Sequence, residues 1–188
     1  MLRKIYIFIF ILCSFSCVEE TLPKPKAYLT LKYPTTNYKN IASNCPYNFE
    51  ISQQATIDIK PNCWTTINYP KLNAKIHISY SEINENLEAI LKDIEKLTFE
   101  HTIKADAIPD AIYYENYEKK VFGKVYRIEG NVASNVQFSL TDSTNHMISA
   151  ALYFYVKPNY DSILPAIRYL EKDIDHLIES LEWKDLKE

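Results

Sequence analysis

The residues best suited to chemistry are the histidines and the acidic residues that lie near two of them. Glu100, His101 and Asp106 fall together in the stretch EHTIKADAI. A histidine beside a carboxylate can act as a general base. A second cluster, TDSTNH, contains Asp142 and His146, and its oxygen-bearing side chains could bind a cation or a sugar. The same residue types also suit a tight turn, and the pattern favours that interpretation.

Several features that an enzyme or cofactor site would need are missing from the sequence. No Ser or Cys stands in a recognisable nucleophile motif, and no two histidines have the spacing for a shared metal on one helix face. The two glycines, Gly123 and Gly130, are too isolated to form a glycine-rich phosphate cradle. We therefore predict no catalytic residue, no cofactor and no metal.

The N-terminal sequence leads to a cysteine that could carry lipid. Arg3 and Lys4 precede an apolar run over residues 5–15, about half the ~20 residues that a membrane-spanning helix needs. A positive start, a short apolar core and a small residue before the break are the parts of a secretory signal. Because Cys17 follows Ser16 directly, as in a lipoprotein box, we predict a signal peptide over residues 1–16 and lipidation of Cys17. An ordinary cleaved signal with an incidental cysteine is the alternative.

Cys45 and Cys63 are then an even pair in an exported protein, which favours a disulfide because such compartments are oxidising. The alternative is a metal pair. A metal would need further ligands, and His77 is the only candidate in that stretch.

Composition and charge favour one exported domain. Removal of residues 1–16 leaves 19 basic against 24 acidic residues, so the formal charge falls from −3 to −5. A mildly acidic surface does not suggest a nucleic-acid partner. Two prolines and mixed charges over residues 17–26 predict a stiff, solvated tether after the lipidated cysteine. Residues 27–188 suit a single α+β domain.

Hydrophobic periodicity predicts the order of elements in that domain. Alternating residues predict strands between residues 27 and 83, and helical spacing predicts a helix from residue 84 to about 104. Four further strands follow, and an amphipathic helix with Asp161 as its N-cap ends the chain. We expect a mostly antiparallel sheet with both long helices packed on it. This element order resembles the PsbP and Mog1 fold.

Tyrosine is unusually frequent, with fifteen residues in the chain. Tyr113, Tyr114 and Tyr117 cluster beside acidic residues. Exposed tyrosines with polar neighbours suit contact with a protein or a glycan. The alternative is a sheet whose faces are filled with aromatic side chains, and the sequence does not choose between the two.

Several specific strings carry a resemblance that covers nearly the whole mature chain. They are HTIKADAI, ASNVQF, LTDSTNH and ESLEW, together with PKPKAYLTLKYP, NCPYNFE and NCW. With these strings the chain resembles the gliding motility lipoprotein GldD family. The resemblance implies a lipoprotein of Bacteroidota that works with other Gld proteins in gliding and in the associated type IX secretion of surface adhesins. It supplies no catalytic motif. The lipoprotein box departs from the usual pattern, since Ser14 stands where Leu is common.

Taken together, these features predict a non-enzymatic accessory lipoprotein. Its membrane contact is the lipid on Cys17, and Glu19 and Glu20 after that cysteine favour the outer membrane without selecting a leaflet. The rival hypothesis is a periplasmic enzyme or small-ligand-binding lipoprotein. It would use His101 with Asp106, or the region of Asp142 and His146, as its site.

Overall fold

Thirteen strands and two helices make up the described part of the chain. The computed structural model describes residues 33–100, 105–157 and 159–184. The strands are β1 (Tyr38–Asn40), β2 (Tyr47–Asn48), β3 (Glu50–Ser52), β4 (Thr56–Ile59), β5 (Thr65–Tyr69), β6 (Ala74–Glu82), β7 (Ala105–Ala107), β8 (Ile112–Asn116), β9 (Val121–Arg127), β10 (Glu129–Gly130), β11 (Ser134–Thr141), β12 (His146–Phe154) and β13 (Glu182–Trp183). The helices are α1 (Leu87–Glu100) and α2 (Tyr160–Ser180), and a short 3-10 turn spans Pro70–Leu72.

Seven of these strands form one antiparallel sheet in the order β4-β5-β6-β12-β11-β9-β8. Three further antiparallel pairs lie outside it: β1 with β3, β2 with β13, and β7 with β10. The predicted α+β class with a mostly antiparallel sheet is therefore confirmed. The start of the region predicted to form strands, residues 27–32, lies outside the described residues.

Helix α2 covers one face of the sheet and completes the main hydrophobic core. Its apolar residues recur every three or four positions, so they form one stripe. Five of them are buried against the sheet: Ile167, Leu170, Ile174, Leu177 and Ile178. The helix begins two residues earlier than predicted, because its N-cap is Asn159 rather than Asp161. The Asn159 side chain accepts a hydrogen bond from the backbone N–H of Ser162, one of the donors that the first turn leaves unpaired.

Helix α1 lies over the opposite face and packs much less deeply. Only Thr98 is buried in it, while Leu97 and Phe99 are about half exposed, at 54% and 48%. The apolar stripe that the sequence predicts to be core-facing is thus only lightly covered. The physical reason lies beneath the helix, where the sheet face carries small and polar side chains and offers little apolar surface to pack against.

One charged residue is buried within the main core. Asp173 of α2 is 3% exposed, and its Oδ1 accepts a hydrogen bond of 3.1 Å from the hydroxyl of Tyr38. Burial raises the pKa of Asp173, and the nearby hydroxyls of Tyr38, Thr36 and Tyr69 offset this only in part. Burial and the same carboxylate raise the pKa of Tyr38 to about 12. Asp173 therefore ties β1 to α2 while its own ionisation is disfavoured.

We expect Asp173→Asn to remove a pH dependence from the stability of the domain. A carboxyl whose pKa is raised by folding stabilises the folded state below the ordinary pKa, about 4, and this contribution is lost as pH rises through the raised pKa. Asparagine keeps an acceptor for Tyr38 and cannot ionise. At neutral pH the variant should be more stable by about 1 kcal/mol or more, the scale on which a buried charged group is penalised.

Urea denaturation at a series of pH values checks this expectation. The difference in unfolding free energy between variant and parent should grow from acidic to neutral pH. Parallel pH profiles would show that Asp173 ionises in the folded protein as it does in the unfolded chain.

Candidate functional site

The hairpin between β11 and β12 uses Asp142 as a turn residue. Its carboxylate accepts hydrogen bonds of 2.8–2.9 Å from the backbone N–H groups of Thr144, Asn145 and His146. Burial alone would raise the pKa of Asp142, but these bonds to the charged form outweigh it and lower the pKa. Nδ1 of the His146 ring lies 3.0 Å from the hydroxyl of Tyr80. Asp142 therefore holds the backbone of His146 rather than its ring, which is the arrangement of a turn.

The other acidic candidate, Asp106, lies on β7 with its side chain exposed. It faces β10 at Gly130, where a Cβ atom would come within 2.7 Å of the Asp106 backbone nitrogen. Gly130 also has a φ of +104°. Both the close approach of the Asp106 backbone and this backbone conformation therefore require glycine at the position. His101 lies outside the described residues, and its pairing with Asp106 stays a prediction.

The clustered tyrosines separate once they are placed on a strand. Tyr113 and Tyr114 are neighbours in β8 and point to opposite faces of the sheet. Tyr114 is half-buried against the main core. Tyr113 is 67% exposed, with the ammonium of Lys124 5.6 Å from its ring centre. Tyr117 is 74% exposed. Tyr113 and Tyr117 are therefore available for contact, whereas Tyr114 packs against the core.

The structure joins Cys45 to Cys63 by a disulfide, with their Cα atoms 5.5 Å apart. Cys45 is 4% exposed and belongs to the main core. Cys17 lies outside the described residues, so its lipidation stays a prediction.

A cavity of about 170 Å³, here called the inner cavity, lies between α1 and the sheet face turned away from α2. The register of three neighbouring strands sets its floor. Ser139 of β11 pairs with Ser149 of β12, which pairs in turn with Ser79 of β6. Directly opposed residues share a sheet face, so the three serines form a row. Because serine is small, this serine row leaves space beneath the helix.

Gln137 lies in the next row of the same floor, opposite Ala151 of β12. It is only 8% exposed, and within the part of the chain that the structure describes its Nε2 has no hydrogen-bond partner. Leaving a buried amide nitrogen unpaired costs about 1–3 kcal/mol. Such a group in a cavity wall requires an acceptor from outside the protein, either water or a ligand.

His77 stands at the rim of the inner cavity with both ring nitrogens engaged. Nδ1 lies 3.1 Å from the hydroxyl of Thr66, and Nε2 lies 3.1 Å from the hydroxyl of Tyr155. Burial lowers the pKa of His77, and Lys75 and Lys60 lower it further. The ring is therefore neutral at neutral pH, and it positions hydroxyl groups rather than serving as an accessible base.

The roof and walls of the inner cavity are largely apolar. Ile94 and Leu97 of α1 line it from above, and the rings of Tyr126 and Tyr153 line its sides. No described residue that lines it carries a formal charge at neutral pH.

The sequence of β11 contains a weak signal for the inner cavity, but the periodicity of its residues alone does not reveal it. β11 reads SNVQFSLT, and its polar and apolar residues alternate as they would in a strand with one solvated face. All eight residues are buried in the structure. A polar face on a fully buried central strand indicates an internal polar site.

None of the helices in the described part of the chain combines the length and the apolar character that a membrane span requires. The described residues also contain no group of three or more His, Cys, Asp or Glu residues placed to hold a metal ion.

Comparison with known proteins identifies both the fold and the family. The solution structure of cyanobacterial PsbP (CyanoP) from Synechocystis sp. PCC 6803 superposes with a TM-score of 0.50 at 8% sequence identity, covering 80% of this chain and 94% of that one. This likeness confirms the predicted fold. The sequence has no significant match among curated proteins. The family model described as gliding motility lipoprotein GldD matches residues 18–183. The chain therefore belongs to the gliding motility lipoprotein GldD family.

Proposed function

We propose that this gliding motility lipoprotein is a non-enzymatic accessory protein, a scaffold for other Gld proteins. It acts in the gliding apparatus and in the associated type IX secretion of surface adhesins. Family membership supports a membrane-anchored envelope protein. In the proposal the anchor is the lipid on Cys17 and the membrane is the outer membrane. The family match begins directly after that cysteine, so it covers the proposed tether as well as the domain.

The observation that carries the proposed scaffold role is the open edge of the main sheet at β8. In the described residues β8 pairs only with β9, so its outer side has unpaired backbone groups. Ile112 and Tyr113 are exposed along this edge, at 47% and 67%, on opposite sides of the strand, and Tyr117 in the turn after β8 is 74% exposed. These three residues are called the edge surface. Exposed apolar edge strands promote pairing with other chains, and native proteins usually protect them. A protein partner that adds a strand or packs aromatic residues here would bury this surface.

The described titratable groups also suit a binding role better than catalysis. Asp142 is committed to its turn, and His77 has both ring nitrogens hydrogen-bonded. The proposed scaffold role needs none of them to exchange protons with a substrate.

Tyr113→Ser should weaken contact with the partner by about thirtyfold or more and strongly reduce colony spreading and adhesin secretion, because an aromatic hot-spot residue contributes about 2 kcal/mol or more. Tyr155→Ser is the matched control. Tyr155 is 60% exposed, and the ammonium of Lys75 lies 4.9 Å from its ring centre, much as Lys124 does for Tyr113. Tyr113→Ser should leave thermal stability nearly unchanged, whereas Tyr155→Ser should be slightly less stable because it also loses the hydrogen bond between its hydroxyl and Nε2 of His77. A loss of partner contact confined to Tyr113→Ser therefore cannot come from lower stability.

Photo-crosslinking in intact cells identifies the partner directly. A crosslinking amino acid at Tyr113 should capture a gliding or secretion component that the same amino acid at Tyr155 does not. Capture of no such component from Tyr113 or Tyr117, together with normal spreading of Tyr113→Ser, would refute the edge surface as the contact site.

A further inference from the structure

The floor of the inner cavity offers hydrogen bonds that the protein leaves unused. Gln137 presents a buried amide nitrogen without a partner. Within the described residues none of the hydroxyls of the serine row makes a hydrogen bond to another side chain or to the backbone. Each hydroxyl can both donate and accept. The floor therefore suits a ligand with several hydroxyl or amide groups.

The positions of the charged residues near the inner cavity narrow the class of ligand that it can bind. By the strand register, Lys75 and Lys124 lie on the same sheet face as the serine row. Their ammonium groups lie over the rings of Tyr155 and Tyr113, and neither lysine lines the cavity. A phosphate or carboxylate bound in the cavity would lack a counter-charge, and its burial would carry a large desolvation penalty. The ligand is therefore uncharged.

The apolar side chains that line the inner cavity favour a ring-shaped ligand. Ile94 and Leu97 above, with Tyr126 and Tyr153 at the sides, offer surface to the C–H faces of a molecule whose hydroxyls meet the floor. A cavity of about 170 Å³ is smaller than the ~300–1,000 Å³ of sites for drug-sized ligands, so it holds one ring-sized group. We propose that the inner cavity binds a single neutral sugar ring, free or as one unit of a glycan. This proposal does not depend on the edge surface.

Helix α1 provides the means of entry. Since only Thr98 of α1 is buried, few contacts would be lost if the helix moved away from the sheet. A sugar bound beneath it would contact Ile94 and Leu97, so ligand binding is expected to order α1.

The test is a titration of the full chain, purified in detergent, with glucose, galactose and N-acetylglucosamine, followed by saturation-transfer NMR. Glucuronate and glucosamine serve as charged counterparts. We expect transfer to ring protons of at least one neutral sugar and weaker transfer to the charged ones. Absence of transfer to every neutral sugar would overturn the proposal and leave the cavity to water alone. A charged sugar that binds as well as its neutral counterpart would also overturn it.

Two variants locate the binding. Ser79→Leu fills the cavity from its floor and should weaken binding by at least about tenfold. Ser81→Leu is the matched control, because Ser81 lies on the same strand and the same sheet face but outside the cavity lining. Its sugar affinity should stay within about twofold of that of the parent. Equal binding by both variants would place the sugar elsewhere and refute the site.

Gln137→Met separates binding from folding. Methionine has nearly the same shape and carries no unpaired donor, so thermal stability should be unchanged or higher while sugar affinity falls by at least about tenfold. A lower melting temperature with unchanged affinity would show that Gln137 serves the fold and would contradict the proposal.

Discussion

Gly123→Ala is expected to destabilise the domain by at least about 3 kcal/mol and to lower the yield of folded protein. Gly123 lies in β9 and pairs with Leu140 of β11 and with Tyr114 of β8. A Cβ atom at Gly123 would lie 2.0 Å from the backbone oxygen of Ser139 and 2.7 Å from Cδ2 of Leu140. A side chain can rotate away from such a contact, whereas a backbone carbonyl cannot. β9 and β11 would therefore have to separate, with loss of ladder hydrogen bonds between the fifth and sixth strands of the seven-stranded sheet.

Equilibrium urea denaturation followed by circular dichroism measures this effect. Lys124→Ala is the control, because Lys124 is the next residue of β9 and its half-buried side chain points to the other face. The unfolding free energy of the control should stay within about 1 kcal/mol of that of the parent. A Gly123→Ala variant as stable as that control would show that β9 and β11 can shift apart without cost.

Local chemistry made much of the fold predictable from the sequence. Residues Ile167 to Ile178 repeat at helical spacing, so the terminal helix and its buried stripe follow from periodicity alone. The stretch from Asp142 to His146 has the composition of a turn, and Asp142 makes the backbone hydrogen bonds that such a turn requires. In both cases the residues that determine the structure lie within a few positions of one another.

The candidate site was not predictable in this way, because it depends on what covers each sheet face. The polar residues of β11 alternate as they would on a solvated strand, yet Gln137 and Ser139 are buried beneath α1. The serine row forms only because β6, β12 and β11 are neighbours in one particular register. Neither strand order nor register can be read from one strand, so the inner cavity becomes visible only in three dimensions.

The sequence could not choose between the two interpretations of the tyrosine cluster, because its members lie in different surroundings. Tyr113 and Tyr114 are adjacent in sequence, and adjacent residues in a strand face opposite sides of the sheet. Tyr113 belongs to the edge surface, whereas Tyr114 packs against the main core. Proximity in sequence is therefore a poor guide to a shared surface unless the secondary structure is considered first.

Loss of the Cys45–Cys63 disulfide is expected to destabilise the protein by about 3 kcal/mol. The bridge joins residues 18 positions apart, and on the chain-entropy model a loop of this length contributes about that amount by restricting the unfolded chain. Hydrogen bonds also hold the chain next to the bridge. The hydroxyl of Tyr47 donates a hydrogen bond to the backbone oxygen of Cys63 and lies 2.8 Å from the hydroxyl of Thr65. The melting temperature of Cys45→Ala/Cys63→Ala should fall by roughly 6–12 °C, given a domain of this size.

A second double variant separates the covalent bond from backbone strain. Cys63 has a φ of +60°, in the left-handed region, where a residue with a Cβ atom is disfavoured by about 1–2 kcal/mol. Cys45→Ala/Cys63→Gly relieves that strain and should recover part of the lost stability, whereas it cannot restore the crosslink. Thermal denaturation of the parent with and without a reducing agent completes the comparison, because reduction should lower the melting temperature of the parent and leave both variants unchanged. If reduction and both variants changed stability by less than about 0.5 kcal/mol, the bridge would not constrain the unfolded chain as the entropy model requires.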